Sequence, residues 1–333
     1  MPHSRRRFLG TLAAGALGSG LAQQRDALAQ ARAPSRARAV HTPVLDIGFE
    51  ERGDVQGFPV ILLHGFPDDV RAWDEVAASL ASHGYRAIVP YLRGYGATRF
   101  RDPSGPRMAQ QAAIGQDVID LADALGLSRF AVGGYDWGGR AACIAAALHP
   151  KRVRAALLIG GYTIQDTRAR PQPASPERER ALWYQWYFNT ERGRVGLTRN
   201  RRGICRLLWE TWSPTWRFTD DTFNRTAASF DNPDFVDVVI HSYRHRNGNA
   251  PGEPRFGDVE RRLAQRPTIE VPSIVLYGAA DGLGPPPADT PAERALLTTR
   301  VARRVVGGAG HFLPREKPEA VSSAMLELLE KSR

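Results

Sequence analysis

Gly134-Tyr135-Asp136-Trp137-Gly138-Gly139 is the stretch of this 333-residue chain that decides its architecture. It overlaps the end of the short apolar run Phe130 to Gly134 and opens a helix of small residues, Gly138 to Leu148, stopped by His149-Pro150. Glycines two before and two after the central residue permit a sharp strand-to-helix turn that lifts one side chain above a sheet. Small residues at Gly138, Gly139, Ala141 and Ala142 let the helix pack close against its neighbours. The lifted side chain is a carboxylate, Asp136. An aspartate is also a good helix N-cap, so its meaning depends on what the rest of the chain sets beside it.

Outward from this turn, Val44 to Glu50, Val60 to Leu63, Tyr85 to Pro90 and Val153 to Ile159 read as strands. Arg71 to His83 and Met108 to Leu125 carry apolar residues at helical spacing, and Gly126 stands where a helix would end. Alternation of this kind builds an α/β fold, a mostly parallel sheet with helices on both faces. It stops after Tyr162. Residues 164–268 are rich in Trp, Arg and Pro and hold Trp183, Trp186, Trp209, Trp212 and Trp216, five of the seven tryptophans. Val271 to Tyr277 and Val301 to Val306 then resume as strands, and Pro318 to Leu329 closes as a helix. The expected organisation is a core domain in two parts, 44–163 and 269–333, with an inserted helical cap over 164–268. The tryptophans serve as the cap's own core, line an apolar pocket between cap and core, or do both.

Composition narrows the function classes. The formal charge is +10, but the basic residues are scattered and all but three of the 45 are Arg. The densest cluster, Arg192 to Arg206, carries no nucleic-acid motif and reads as a solvated helix face. Cys143 and Cys205 make no disulfide framework, and no metal-ligand spacing occurs. Cys143 reads as a buried structural thiol. No metal or cofactor is expected, no nucleic-acid partner, and no membrane span, since no run approaches twenty apolar residues. Ser4-Arg5-Arg6-Arg7-Phe8-Leu9 matches the twin-arginine export consensus. A Gly/Ala-rich apolar run follows from Gly10 to Ala22, then a small-x-small site at Ala27-Leu28-Ala29. Residues 1–29 therefore read as a signal peptide and 30–43 as a linker. The expectation is a bacterial protein handed to the twin-arginine machinery and exported to the periplasm or beyond.

The company of Asp136 points to catalysis. His64-Gly65-Phe66-Pro67 follows the strand Val60 to Leu63, so the backbone N–H groups of Phe66 and Trp137 are placed to converge on one developing negative charge. Asp281 lies just past the strand ending at Tyr277, and His311, among glycines, just past the strand ending at Val306. Asp136, Asp281 and His311 thus share the sheet edge where open α/β folds bind ligands, in the chain order nucleophile, acid, histidine. Asp289, in the same Pro-rich loop as Asp281, lies too far from the strand end. Of the other histidines, His64 belongs to the Phe66 loop, where a structural hydrogen bond is expected.

From about 44 to 330 the chain resembles the epoxide hydrolase branch of the α/β-hydrolase superfamily. The matching residues are His64-Gly65-Phe66-Pro67, Leu92-Arg93-Gly94-Tyr95-Gly96, Gly134-Tyr135-Asp136-Trp137-Gly138, Asp281 and Gly310-His311. The resemblance implies Asp136 as nucleophile, His311 as general base, Asp281 as the acid orienting it, and Phe66 and Trp137 as the oxyanion hole. It further implies two cap tyrosines that protonate the epoxide oxygen. Tyr184-Gln185-Trp186-Tyr187-Phe188 looks like the first segment, which makes Tyr184 the donor in preference to Tyr187, and Ser242-Tyr243-Arg244 looks like the second, which makes Tyr243 its partner. Phe66, Trp137, Trp183 and Tyr187 are expected to line the pocket, and the substrates to be water and a small apolar or aryl epoxide.

A carboxylate nucleophile suits attack at an sp3 carbon, because the ester it forms keeps a carbonyl that water can attack. A haloalkane or haloacid dehalogenase uses the same three residues. It needs donors for a departing halide, which the indole of Trp137 can supply and the side chain of Phe66 cannot. The haloacid type characteristically has Arg where this chain has Trp137. A ligand-binding protein that keeps the fold without turnover is the alternative from another class, and the filled Asp-Asp-His set argues against it.

Overall fold

The computed structural model describes residues 36–169 and 172–332, where nine strands form one sheet. In chain order these are β1 (Arg36–His41), β2 (Leu45–Arg52), β3 (Phe58–Leu63), β4 (Tyr85–Pro90), β5 (Arg99–Phe100), β6 (Phe130–Tyr135), β7 (Val153–Ile159), β8 (Ser273–Gly278) and β9 (Arg300–Val306). The spatial order is β1-β2-β4-β3-β6-β7-β8-β9, with β5 paired beside β2. From β4 to β9 every pairing is parallel, while β2 runs antiparallel to β1 and β4. The central strands β6 and β8 are buried along their whole length, as parallel strands covered on both sides are.

Neighbouring residues of β6 show what covers each face. A Cβ added at Gly133 would stand 2.8 Å from Met325 of the closing helix Pro318–Lys331. One added at Gly134 would strike the Gly138 carbonyl of the helix Asp136–Leu148. Successive side chains of a strand point to opposite faces, so the two helices lie on opposite sides. Gln111–Ala124 packs beside Asp136–Leu148, and Asp74–Ser82 beside the closing helix.

Between β7 and β8 the chain leaves the sheet for a helical layer, whose longest member is Glu191–Trp212. Its Arg-rich face is spent on surface pairs, Arg202 with Asp231 and Arg206 with Asp220, while Leu197, Cys205, Leu208, Trp209 and Trp212 are buried on the other. Trp209 sits in an aromatic cluster with Trp216, Phe218, Phe223 and Phe312. These tryptophans make the cap's core.

One expectation fails at the start of the described chain. Arg36–His41, read as part of a linker over 30–43, is the edge strand β1, in register from Arg36 against Glu51 to His41 against Asp46. Its side chains are almost all exposed. The strand is held by backbone pairing and by Arg38 Nη1 on Glu51 Oε2 at 3.0 Å, neither of which leaves an apolar alternation to read. The signal peptide expected over residues 1–29 lies outside the described residues.

Arg93 is 2% exposed, and its guanidinium forks onto buried Asp117 at 2.7 and 2.6 Å while also bonding the Met108 and Ala113 carbonyls. Removing one member of such a pair leaves an uncompensated buried charge. Arg93→Ala is expected to lower unfolding free energy in denaturant titrations by about 3–5 kcal/mol. Arg93→Met with Asp117→Leu should recover most of that loss, and an unshifted midpoint for Arg93→Ala would show the pair to be inert.

Candidate active site

The turn at the end of β6 places the first functional group. Asp136 has φ of +51°, a left-handed conformation that Asp tolerates better than most residues at a cost of about 1–2 kcal/mol. Packing holds it there. A side chain on Gly138 would collide with the carbonyl oxygens of Leu63 and His64, and one on Gly65 with Asp136 itself. The elbow and the loop after β3 are therefore in backbone contact, and the Phe66 N–H reaches Asp136 Oδ1 at 2.8 Å. Burial alone would favour the neutral acid. Attraction to His311 and hydrogen bonds from the Phe66 and Trp137 amides outweigh it, so the Asp136 carboxyl is held below its ordinary range.

The loops after β8 and β9 bring up the other two groups. Asp281 Oδ2 faces His311 Nδ1 at 2.9 Å, and its Oδ1 accepts the Leu283 N–H. Asp289 is engaged with Arg294 and Arg300 instead. His311 Nε2 points at Asp136 Oδ2 across 3.8 Å, too far for a hydrogen bond, and has no such partner among the described residues. Burial opposes charging of this ring, but Asp281 and Asp136 prevail and push His311 up to about 10.

Glu316 sets the histidine's loop, a role that sequence reasoning missed. Its carboxylate accepts Gly310 N–H at 2.8 Å, Phe312 N–H at 3.1 Å and the Ser213 hydroxyl at 2.6 Å. The N–H of His311 itself donates to Trp212 O at 3.2 Å. The residues either side of the imidazole are thus clamped by one side chain. His64 makes the structural bonds expected of it, Nδ1 to Gly65 O and Nε2 accepting Leu92 N–H, each at 3.1 Å. Full burial pushes it down to about 4, so it stays neutral.

Near Asp136 stand two cap phenols, Tyr184 from the helix Trp183–Phe188 and Tyr243 from Phe235–Arg246; Tyr184 bounds the cleft beside Asp136, while Tyr243 packs on Trp137 at 5.7 Å between ring centres. Their rings meet at 5.3 Å and 88°. Both are buried, and burial together with nearby charge pushes Tyr184 up to about 12 and Tyr243 well above its ordinary value. Both phenols therefore keep their protons at neutral pH.

A cavity of about 420 Å³ opens between cap and core, bounded by Asp136, Asp281, His311 and Tyr184. Its aromatic wall is made by Tyr135, Tyr162, Tyr184 and Tyr277, and not by the expected Phe66, Trp137, Trp183 and Tyr187. Tyr184 and Phe188 form the buried face of their helix, which turns Trp183 and Tyr187, one residue earlier in each case, onto one another at 5.7 Å and away from the cavity. Phe66 and Trp137 are stacked at 5.6 Å inside the cap–core packing. Their backbone N–H groups face Asp136 while their rings do not bound the cavity. Arg140, Arg178 and Arg246 line it instead. Arg140 was legible, standing one helical turn after Asp136, but lay hidden among so many arginines. Among the described residues no group of three or more His, Cys, Asp and Glu is arranged to hold a metal ion.

A model of the alpha/beta hydrolase fold family matches residues 59–318. The chain belongs to the α/β-hydrolase family. Within it the chain is epoxide-hydrolase-like, being 38% identical over 306 residues to epoxide hydrolase 2 of Siraitia grosvenorii, which covers 83% of this chain and 92% of that one. Epoxide hydrolase A of Mycobacterium tuberculosis is 27% identical over 327 residues, 88% of this chain and 96% of its own. Among solved structures, a Klebsiella pneumoniae protein assigned as an epoxide hydrolase superposes with a TM-score of 0.85 at 41% identity, covering 91% of this chain and 99% of that one.

In this α/β-hydrolase the charge on Asp136 is one cause of the raised His311 value. Asp136→Asn removes that charge at nearly constant shape. Imidazole NMR titration should place His311 near 10 in the wild-type protein and at least one unit lower in the variant. The sign for stability follows. The contribution of charged His311 is complete below about pH 6.5 and is lost as pH rises through about 10, so the unfolding free energy of the wild type should fall more across that window than that of His311→Gln.

Proposed function

We propose that this α/β-hydrolase converts an epoxide and water to a diol through an alkyl ester on Asp136. The observation that carries the reading is an ionised carboxylate with one oxygen on the Phe66 amide and the other facing His311, under two protonated phenols. Asp136 Oδ2 attacks an oxirane carbon, the ring C–O bond breaks, and the freed oxygen takes a proton from Tyr184 or Tyr243. The ester no longer carries the Asp136 charge, so the hold on the His311 proton weakens and that proton restores the phenol. Neutral His311, oriented by Asp281, then takes a proton from water. The hydroxide adds to Asp136 Cγ, and Oδ1 becomes an oxyanion held by the Phe66 and Trp137 amides. Collapse expels the diol oxygen, which takes the proton from His311, and the acid proton left on Asp136 returns to the imidazole. The names of the relatives support epoxide and water as substrates. An aryl or apolar substituent, the expectation drawn from the aromatic cap, is compatible with Tyr135, Tyr162, Tyr184 and Tyr277 on the cavity wall.

Single turnover of styrene oxide in oxygen-18 water should leave label in Asp136 and yield diol. Label-free Asp136 with diol formed would mean direct attack by water. His311→Gln should accumulate the ester on the elbow peptide and lower kcat by about 10³-fold or more, and Tyr184→Phe and Tyr243→Phe should each slow ester formation by about 10–100-fold.

A second reading, dehalogenation, is favoured by one observation. The indole N–H groups of Trp73, Trp137 and Trp212 are all buried without an acceptor among the described residues, and Trp137, next to Asp136 in the chain, is the one a halide leaving that site would need. Halide release from a haloalkane or haloacid, with no diol from any epoxide, would decide for it. We also propose export through the twin-arginine route, on the strength of Arg5-Arg6-Arg7-Phe8-Leu9. Arg5→Lys with Arg6→Lys should hold the full-length chain in the cytoplasm on fractionation, and unchanged export would remove the proposal.

A further inference from the structure

Three guanidinium groups border the cavity, those of Arg140, Arg178 and Arg246. Elsewhere this chain pairs its enclosed arginines with carboxylates, as Arg93 with Asp117 and Arg315 with Asp68. Here it does not. Among the described residues no carboxylate lies within ion-pair distance of Arg140, Arg178 or Arg246. Arg140 donates Nε to Thr163 O at 3.0 Å, which leaves both Nη groups for the cavity. Arg246 lies over the Tyr243 ring at 4.9 Å, and its Nε is buried with no acceptor among the described residues. The carboxylates on the wall are Asp136 and Asp281, both already facing His311. With His311 charged, four cations face two carboxylates in one enclosure.

Unpaired charge in a partly enclosed site is expensive and persists where a ligand completes it. Arginine's planar fork matches a carboxylate with two parallel hydrogen bonds. We propose that the cavity is built for an anionic epoxide, an oxirane bearing a carboxylate that Arg140 and Arg246 hold while Asp136 attacks the ring. The shared enclosure narrows the class. Arg140 follows Asp136 by four residues, and both bound the same cavity with Arg246. A carboxylate held by these arginines while Asp136 attacks the ring belongs to a small oxirane such as a glycidate. Burial and then Arg246 both weaken Arg140's hold on its proton, a strain that an arriving anion relieves. Exposed Arg178, from the short helix Pro176–Ala181, stands at the rim as a third cation.

This inference rests on the epoxide-opening reading for its reaction but not for its anion site, and the test separates the two. 3-Phenylglycidate and styrene oxide differ by the carboxylate alone. The wild-type enzyme should favour the glycidate by at least about 100-fold in kcat/KM, and that ratio should fall by about 30-fold or more in Arg140→Gln, less in Arg140→Lys. Arg246→Gln should lower it too, and serves as the second variant if Arg140→Gln does not fold. A wild-type ratio of one or below, or a ratio untouched in both glutamine variants, overturns the proposal. Should neither epoxide be turned over, calorimetric titration with benzoate decides. Benzoate binding that weakens at least 10-fold in Arg140→Gln keeps the anion site while the epoxide reading falls, and absent or Arg140-independent binding overturns the site as well.

Discussion

The structure depends on a backbone contact between the start of the helix Asp136–Leu148 and the end of β3. Gly138 rests on the carbonyl oxygens of Leu63 and His64 with no room for a side chain. That approach presses two loops from adjacent parallel strands together. It brings the Phe66 N–H to Asp136, and it over-determines a left-handed turn that a non-glycine residue rarely adopts. Any larger residue at Gly138 moves the elbow away from the loop, and the bond from Phe66 N–H to Asp136 goes with it.

From the same loop the ring of Phe66 ties cap to core. It meets Trp137 of the elbow and Tyr184, Phe188, Trp212, Phe235 and Tyr243 of the cap within 6.4 Å between ring centres. Polar bonds lock the joint from behind. Trp209 donates to Pro67 O at 2.7 Å, and the cap hydroxyls of Ser229 and Thr226 bond Asp69 at 2.6 and 3.1 Å. Buried Arg315 spans Asp68, Asp69 and Thr226. The Tyr184 and Tyr243 rings near Asp136 are held by packing on Phe66 and on the aromatic residues around it.

Electrostatics in the cleft is arranged around a charge that comes and goes. Asp136 and Asp281 together keep His311 protonated against its burial, and in the proposed mechanism esterification would neutralise one of them. Under that mechanism the base of the second half-reaction is made by the product of the first. Tyr184 and Tyr243 are pushed up as well, by burial together with nearby charge that includes Asp136, and keep their protons at neutral pH. The arginines add a positive field that the nucleophile and its acid do not balance.

The sequence by itself determined the sheet, the interrupted topology and the three groups at its edge. Strands such as Tyr85–Pro90 and Val153–Ile159 are short buried runs, and the glycines around Asp136 have meaning only in a tight turn, so local pattern suffices. It missed β1, whose pairing is backbone to backbone with exposed side chains. Only the tertiary structure decided which way the aromatic residues of 183–188 face. The helix buries Tyr184 and Phe188 and turns Trp183 and Tyr187 aside, a choice fixed by Phe66 and Trp212 on the far side of the joint. It also decided the character of the cavity. Arg140, Arg178 and Arg246 come from three separate helices, and their lack of carboxylate partners among the described residues is a property of neighbours brought together by folding, which no local run of residues can carry.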